Sequence, residues 1–284
     1  MGLRVAAVAW RLRRIRTETE FADHLRECVE AACVGETQLV VLPELFVLEL
    51  LGALGEVAEG NVPNALAEYA PLLEAWIQTL ARSHGITLVG GSHFAKGAGG
   101  VENVCVTASP NGSSRHPKNL LTRYERDVWG LVPGQILRTN PELGLGVAIC
   151  YDLEFPGSVR ALAEHGARVV AAPSFTETKH GYHRVRQAAH ARALENHVFV
   201  LHAALVGSLG REPVPSTYGS AAIVAPNHPP FPADGVLAAT HAHREEIAFA
   251  ELDLEALART RSEGTVTNWD DRGHGWAVEV SRER

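Results

Sequence analysis

Short apolar runs and helical repeats alternate along the first third of the chain. Thr17 and Glu20 have the spacing of a capping box, a side-chain pattern that starts helices. Gly85 follows a helical repeat and supplies a natural helix stop. These patterns predict, in chain order, a strand over 3–10, a helix to about Cys33, a doubly buried strand over 39–42, a helix over 63–84 and a strand over 86–89.

The pattern changes after residue 100 to that of an antiparallel hairpin. Two strand-like runs, 101–109 and 113–116, flank the turn signal Asn111-Gly112. A loop is predicted over 118–134. Further along, strands are predicted over 146–149, 169–172, 198–204, 221–224 and 247–251, and helices over 157–165 and 183–195.

Helices and strands alternate in both halves of the sequence, and no Gly/Ser-rich linker or run of charge separates the halves. The simplest interpretation is one α/β domain over residues 1–284, with helices covering the sheets. The hairpins in the middle favour two mixed sheets that face each other over one doubly wound parallel sheet. The order of elements therefore predicts an α/β fold with two mixed β-sheets.

Composition and charge exclude several classes of function. Hydrophobic residues make up 46% of the chain and charged residues 21%, as in ordinary globular proteins. The formal net charge of -7 argues against nucleic acid as a partner, because phosphate binding depends on clustered Lys and Arg. The most apolar stretch, 39–54, contains Glu44 and Glu49, which argues against a membrane span. Four cysteines without a CxxC pair, and an N-terminus without a secretory pattern, indicate a cytoplasmic protein.

Three residues able to do chemistry follow predicted strands. Glu44 ends the segment LVVLPE, Lys118 ends RHPK and Cys150 ends GVAIC. The carboxyl ends of strands open onto the ligand crevice in α/β proteins, so we expect these three endings to converge. Lys118 is one of only three lysines among 26 basic residues, so its position invites a specific explanation.

The three side chains together suit nucleophilic attack on an amide or nitrile carbon. A thiol needs a base to become a nucleophile, and Glu44 can take that proton and later return it to the leaving nitrogen. An ammonium such as Lys118 stabilises the negative charge that develops, and the backbone N–H of Tyr151 is a second candidate donor. Taken singly, each residue also fits an ordinary role: Glu44 as a solvated carboxylate, Lys118 as a surface cation and Cys150 as a buried thiol.

Three motifs in this order resemble those of the nitrilase superfamily of carbon-nitrogen hydrolases. They are Leu42-Pro43-Glu44 for the glutamate, Lys118 for the lysine, and Cys150-Tyr151-Asp152 with Phe155-Pro156 for the cysteine. Later segments extend the resemblance over nearly the whole chain: Pro173-Ser174, His183, Arg192-Ala193-Leu194-Glu195-Asn196 and Tyr218-Gly219-Ser220. The sequence departs from the family where His116-Pro117 replaces the usual Tyr-Arg before the lysine, and where Arg184 replaces a common Trp.

The resemblance implies a four-layer αββα sandwich with two mixed β-sheets, usually paired as a homodimer or a higher homo-oligomer. It also implies a triad of Glu44, Lys118 and Cys150, a thioester acyl-enzyme, and no metal or organic cofactor. Many members carry a second glutamate after the lysine; Glu125 is the candidate, with a loop salt bridge as its other interpretation. His183 lies in a segment that shapes substrate preference. The implied function is hydrolysis of a small linear amide, with nitriles and N-carbamoyl compounds as alternative substrates.

Three other functions remain open. His180, His183 and His190 lie on or near one predicted helix and permit a metal site, although zinc catalysis needs three convergent ligands that this spacing does not supply. A cysteine peptidase with a histidine partner fits the 14 histidines. An inactive binding protein on the same fold would carry an unreactive Cys150. Metal content, the effect of Glu44→Gln and thiol reactivity separate these alternatives.

Overall fold

The computed structural model describes residues 2–140, 142–275 and 277, which form a mixed α/β fold. The strands in this part of the chain are β1 (Leu3–Leu12), β2 (Leu39–Val41), β3 (Thr87–Val89), β4 (His93–Gly97), β5 (Gly100–Ser109), β6 (Gly112–Pro117), β7 (Thr139–Asn140), β8 (Leu145–Val147), β9 (Val169–Ser174), β10 (Phe199–Gly207), β11 (Ala222–Val224), β12 (Val236–Ala239) and β13 (Glu246–Leu252). The α-helices are α1 (Glu18–Ala32), α2 (Leu51–Leu54), α3 (Val62–Ala67), α4 (Ala70–His84), α5 (Arg123–Asp127), α6 (Pro156–Glu164), α7 (Lys179–Asn196) and α8 (Leu254–Glu263). Short 3-10 helices cover Phe46–Leu50, Glu59–Asn61, Cys150–Glu154 and Asp271–Gly273.

β1 lies at the centre of one curled mixed sheet that connects the thirteen described strands. The main path runs β4-β5-β3-β2-β1-β10-β9-β8-β7. β1 pairs in parallel with β2 through residues 5–7 and with β10 through residues 9–12, and it is antiparallel to β13. The predicted mixed α/β fold is confirmed. The division into two separate sheets in four layers is not confirmed, because hydrogen bonds connect the thirteen described strands into one continuous sheet.

Alternate side chains of β1 enter two different cores. One core takes Val5, Ala7 and Ala9, and the other takes Ala6, Val8 and Trp10. The first core includes buried residues of α6, α7 and α8, and the second includes buried residues of α1, α3 and α4. Because successive side chains of a strand point to opposite faces, β1 is buried on both sides. This explains the nearly continuous apolar run at the start of the chain.

One predicted helix, 63–84, is two helices in the structure. α3 ends at Ala67 and α4 begins at Ala70, and each has a proline in its first turn, Pro63 and Pro71. Proline suits the first turn of a helix because it lacks an N–H, but its ring clashes with a preceding helical turn. The expectation of one continuous helix is wrong. Gly85 ends α4 in the left-handed conformation, φ +66°, as predicted.

The predicted hairpin of β5 and β6 is confirmed, with Ser109 paired to Gly112. Pro110 and Asn111 are therefore the loop residues, and Gly112 begins β6. The predicted loop 118–134 contains α5, and β4, β12, α2 and α8 were not predicted. None of the helices in the described part of the chain is both long and apolar enough to cross a bilayer.

Candidate active site

The three side chains predicted to converge lie on one cavity. Glu44, Lys118 and Cys150 all line a cavity of about 240 Å³. Lys118 Nζ lies 2.7 Å from Glu44 Oε1. Glu44 and Lys118 are each 2% exposed, and Cys150 is 6% exposed. The floor of the cavity therefore presents a thiol, a carboxylate and an ammonium that are shielded from bulk water.

Hydrogen bonds to both carboxylate oxygens fix Glu44, which lies three residues after β2. Oε1 accepts from Lys118 Nζ and, at 3.0 Å, from Asn103 Nδ2. Oε2 accepts from the backbone N–H of Phe175 at 2.9 Å. The next residue, Leu45, has a left-handed backbone with φ +52°, which turns the chain sharply after the glutamate. The carboxylate therefore has one orientation available to it.

The backbone around Lys118 is held just as firmly. Lys118 directly follows β6, and its N–H donates to the carbonyl of Asn103 at 2.8 Å. The next two N–H groups, of Asn119 and Leu120, donate to the carboxylate of Asp152 at 3.3 and 2.7 Å. Asp152 belongs to the 3-10 helix that begins at the cysteine. The loop that carries the lysine is therefore tied to the turn that carries the thiol.

Cys150 begins its 3-10 helix with an unusual backbone, φ +44°. A residue with a side chain in the left-handed region costs on the order of 1–3 kcal/mol and persists only where the surroundings impose it. Two hydrogen bonds hold this turn: Arg192 Nε donates to the carbonyl of Leu153 at 3.1 Å, and Ser158 Oγ donates to that of Asp152 at 2.6 Å. Strain of this kind clusters at functional sites, where it directs a side chain.

Glu125 joins the same cluster. Its Oε1 and Oε2 each lie 2.8 Å from Lys118 Nζ. Glu125 also completes a capping box with Thr122 at the start of α5, which fixes its side chain relative to the backbone. Asn103 Nδ2 donates to Glu125 Oε1 at 3.1 Å and also to Glu44, so one amide bridges the two carboxylates. Asn103 was missed from the sequence, where it follows Glu102 in a strand that contains several other polar residues.

One ammonium faces two carboxylates in this cluster, and their pKa values diverge. Burial, together with the charge of Glu125, raises the pKa of Glu44 despite the attraction of Lys118. Burial also opposes ionisation of Glu125, but Lys118 and several hydrogen bonds hold its pKa below the ordinary value. Burial opposes the charge of Lys118, yet Glu125 and Glu44 raise its pKa well above the ordinary range. Burial and Glu44 raise the pKa of the Cys150 thiol. At rest the thiol is protonated, and Glu44 is the carboxylate that takes up a proton more readily.

A protein-family comparison extends over most of the chain. The family model for carbon-nitrogen hydrolases matches residues 4–262. The chain belongs to the carbon-nitrogen hydrolase family. The family match and the curated relatives identify it as a member of the nitrilase superfamily.

Two curated relatives and one solved structure show the extent of the similarity. The probable hydrolase YhcX of Bacillus subtilis is 30% identical over 274 residues, which cover 95% of this chain and 53% of YhcX. The chain thus spans about half the length of YhcX. The (R)-stereoselective amidase of a Pseudomonas species is 33% identical over 242 residues, 81% of this chain and 78% of that protein. Nit3 of Saccharomyces cerevisiae, a nitrilase superfamily member, shares the fold with a TM-score of 0.77 at 24% identity, over 94% of this chain and 95% of that one.

The structure places Tyr151 and His183 differently. Tyr151 lines the cavity, and its ring packs edge-on against Phe155 with centroids 5.0 Å apart. The N–H of Tyr151 lies in the first turn of a 3-10 helix, where N–H groups have no acceptor inside the helix. His183 is exposed, lies against Tyr182 at a ring distance of 5.0 Å, and is not among the described residues that line the cavity. The structure therefore brings Tyr151 to the site and leaves His183 outside it.

The rim of the cavity, formed by Glu154, Glu177 and Arg184, is charged, and none of these residues was predicted to belong to the site. Arg184 Nε forms hydrogen bonds of 3.0 and 2.9 Å with the carboxylate of Glu154. Glu177 and Trp129 also line the cavity. These residues come from three separate segments of the chain, so no local pattern could have grouped them.

The histidines of the metal alternative do not form a ligand set. Within the residues that the structure describes, no group of three or more His, Cys, Asp or Glu side chains is arranged to hold a metal ion. His180 and His183 are exposed, and His190 is half-buried. The spacing on α7 therefore reflects one helix with several histidines on its surface.

Proposed function

We propose that the protein is an amidase that cleaves the carbon–nitrogen bond of a small linear amide. Cys150 is the nucleophile, Glu44 transfers protons and Lys118 stabilises the oxyanion. One observation carries the proposal: the 2.7 Å contact of Lys118 Nζ with Glu44 Oε1 on the floor of a cavity that Cys150 also lines. Attack by sulfur on an amide needs these three types of group within reach of one carbon atom.

Acylation begins when Cys150 Sγ attacks the amide carbon and its proton passes to Glu44. Because the pKa values of the thiol and of Glu44 are both raised, proton transfer accompanies the attack instead of preceding it. The carbonyl electron pair moves to oxygen, where the Lys118 ammonium and the N–H of Tyr151 stabilise it; one such donor typically contributes about 10²-fold or more to turnover. Collapse breaks the C–N bond, Glu44 returns its proton to nitrogen, and ammonia or an amine leaves a thioester behind.

Deacylation uses the same groups on water. Glu44 takes a proton from the water as its oxygen attacks the thioester carbon, and the second oxyanion forms against Lys118 and the N–H of Tyr151. Collapse breaks the C–S bond, and the proton on Glu44 returns to the Cys150 sulfur. One amide and one water thus give one carboxylic acid and one ammonia or amine.

Glu125 acts through Lys118. Its two oxygens, each 2.8 Å from Nζ, hold the ammonium beside Glu44. The capping box with Thr122 fixes Glu125 in turn. A second carboxylate also raises the pKa of Glu44, which makes Glu44 a better proton acceptor during attack. We therefore assign Glu125 a positioning role.

Three features favour an amide substrate of modest size. The cavity of about 240 Å³ has room for a small molecule. The oxyanion donors suit the tetrahedral intermediate of acyl transfer. Curated relatives from Pseudomonas, Danio rerio and Synechocystis are named as amidases.

The test is ammonia release from a panel of primary amides, nitriles and N-carbamoyl compounds. We expect turnover of amides by the wild-type protein and none by Cys150→Ala, with the unfolding transition retained. Cys33→Ala is the matched control, because Cys33 is a half-exposed cysteine outside the cavity. Intact-protein mass spectrometry during turnover is expected to show the acyl adduct on Cys150.

The rival functions give different results in the same assays. Hydrolysis at the wild-type rate by Cys150→Ala rejects the nucleophile. Activity that survives Glu44→Gln but not a histidine substitution supports the peptidase alternative. Equal alkylation of Cys150 and Cys33, with no turnover of any compound, supports the inactive binding protein.

We further propose that the single domain forms a four-layer αββα sandwich and that two copies pair in the cytoplasm. The two cores on opposite faces of β1 support the layered arrangement. Phe155, the residue before α6, and Leu194 of α7 are each 38% exposed, and α6 packs against α7, which supports a partner surface there. Light scattering of the purified protein tests the pairing: a monomer mass at micromolar concentration rejects it.

A further inference from the structure

The cavity has more negative than positive charge among its described lining residues. These are the carboxylates Glu44, Glu125, Glu154 and Glu177 and the cations Lys118 and Arg184. On the floor, Lys118 is shared by two carboxylates, and at the rim Arg184 pairs with Glu154 at 2.9 Å. The carboxylate of Glu177 forms no ion pair with a cation within residues 2–140, 142–275 and 277.

Two further carboxylates approach Glu177 at Tyr124. Tyr124 lines the cavity, and its hydroxyl donates a hydrogen bond to Glu59. Burial and the charges of Glu59, Glu212 and Glu177 raise the pKa of Tyr124. Burial and Glu212 likewise raise the pKa of Glu177. Glu212 and Glu177 thus repel each other, Glu59 contacts the same tyrosine, and a bound cation would relieve the repulsion at Glu177.

The wall of the cavity beside Tyr124 is aromatic. Trp129 lines the cavity and is 6% exposed. Its ring meets Tyr124 edge-on with centroids 4.9 Å apart. An aromatic ring face attracts cations. The wall is therefore suited to a ligand that extends from the floor towards the rim.

A substrate that ends in a carboxylate would meet the opposite environment. It would approach Glu177, Glu59 and Glu212, and the one cation of the described rim, Arg184, already pairs with Glu154. Arg184 is 61% exposed and is able to leave that pair, so the two kinds of substrate need a direct comparison. Charge at the rim, and not the shape of the floor, distinguishes them.

We propose that the substrate of this site carries an ammonium or a similar cation at the end away from the scissile amide, and that Glu177 binds it at the rim. The inference rests on the proposed amidase function. It names the substrate class as amino amides, with the amide on the floor beside Cys150 and the amine near Tyr124.

The experiment compares three series of primary amides that match in length, with four to six carbons: ω-amino, unsubstituted and ω-carboxy. We expect kcat/KM to be about tenfold higher for the ω-amino than for the unsubstituted amide, and lowest for the ω-carboxy amide. The preference should shrink as salt is raised from about 0.01 to 1 M, because salt screens exposed charges. Glu177→Gln should reduce the ratio of ω-amino to unsubstituted kcat/KM about tenfold. Glu263→Gln, at an exposed glutamate that does not line the cavity, should leave that ratio unchanged.

Two results would overturn the inference while the amidase function stands. One is an equal kcat/KM for the ω-amino and unsubstituted amides. The other is a preference for ω-carboxy amides that Arg184→Gln removes. If no amide is hydrolysed, the amidase proposal fails, and calorimetric titration of the Cys150→Ala protein decides the charge question separately. Tighter binding of the ω-amino than of the unsubstituted amide supports a cation site, and equal binding rejects it.

Discussion

The carboxylate of Asp152 accepts a 2.7 Å hydrogen bond from the backbone N–H of Leu120. Asp152 lies in the 3-10 helix that Cys150 begins, and Leu120 follows Lys118 by two residues. The position of the thiol is therefore coupled to the position of the ammonium. Burial raises the pKa of Asp152 to about 6, although Lys118 and the backbone N–H groups favour its charged form. Asp152 is thus a positioning residue.

Removing this link should impair turnover more than substrate binding. We expect Asp152→Ala to lower kcat about 10²-fold with little change in KM, because a shift of about 1 Å in the lysine loop misaligns the oxyanion donor. Asp152→Asn keeps an acceptor for Leu120 and should recover part of that loss. Steady-state kinetics on both variants, with circular dichroism as the folding control, test this. An unchanged kcat in Asp152→Ala would contradict the coupling.

The substitution Glu44→Gln removes the group that accepts the proton and keeps the shape of the side chain. The amide oxygen can still accept from Lys118 and Asn103, whereas its NH₂ group would face the N–H of Phe175, which now contacts Glu44 Oε2 at 2.9 Å. Loss of a general base typically costs about 10²–10⁴-fold, and we expect a fall in kcat within that range. Glu263→Gln serves as the control for glutamate substitution at the surface. Retention of more than half of the wild-type kcat would remove Glu44 from the mechanism.

Lys118→Met should destabilise the fold as well as stop turnover. It leaves the carboxylates of Glu44 and Glu125, 2% and 4% exposed, without their cation. Removing one partner of a buried ion pair typically costs about 3–5 kcal/mol. The double variant Lys118→Met/Glu125→Gln takes away one of the stranded charges, so it should be more stable than Lys118→Met alone. Urea unfolding at pH 7 measures both, and a double variant that is less stable than the single one would disprove the charge argument.

The strand-end residues were predictable because each ends a local pattern. Glu44 and Cys150 follow apolar runs, and Lys118 stands out because it is one of three lysines in a chain whose other cations are arginines. Asn103 carried no such signal, since a single amide within a strand is equally consistent with an exposed face. It contacts both Glu44 and Glu125 only because β5 pairs with β6, the strand that Lys118 follows.

The rim and the sheet connectivity depend on contacts between distant segments. Glu59, Glu177 and Glu212 are separated by many residues, and nothing in their neighbours indicates that they meet near Tyr124. In the same way, β1 pairs with β13 from the far end of the chain, and that pairing adds β13 to the one sheet of the described residues. Local patterns specify elements and strand ends, whereas tertiary packing decides which of them touch.

A buried ion pair supports the segment that follows Glu44. His24 Nδ1 lies 2.8 Å from Glu49 Oε1, and both side chains are fully buried. Trp10 Nε1 donates to the other oxygen of Glu49 at 2.8 Å. Glu49 lies in the 3-10 helix Phe46–Leu50, which begins two residues after Glu44. The network therefore anchors the turn that presents the glutamate.

This network makes stability depend on pH. Burial opposes the charge on His24, but Glu245 and Glu49 raise its pKa above the ordinary value of 6.5. A raised pKa in the folded state contributes stability that is complete below pH 6.5 and is lost as pH rises through the folded pKa. We expect the free energy of unfolding to fall as pH rises above 6.5, and His24→Gln to flatten that dependence.

His180→Gln is the matched control, because His180 is exposed on α7. Urea unfolding from pH 6 to pH 10 gives the comparison. Stability should also change at acidic pH. Burial opposes ionisation of Glu245, but His24 and Arg13 lower its pKa to about 2. Its contribution is therefore present above pH 4.5 and lost as pH falls towards 2. A wild-type slope above pH 6.5 that His24→Gln leaves intact would assign it to another group.

The pH dependence of kcat/KM tests which group accepts the proton of Cys150. Glu44 must be ionised to do so, and burial with Glu125 raises its pKa, so the acid limb should lie above the ordinary value of 4.5. Lys118, with its pKa raised well above 10.5, should cause no alkaline loss below about pH 10. Glu125→Gln removes a like charge from beside Glu44 and should move the acid limb to lower pH. A limb near pH 6.5 that stays unchanged in Glu125→Gln and in Asp152→Asn would indicate a histidine base instead.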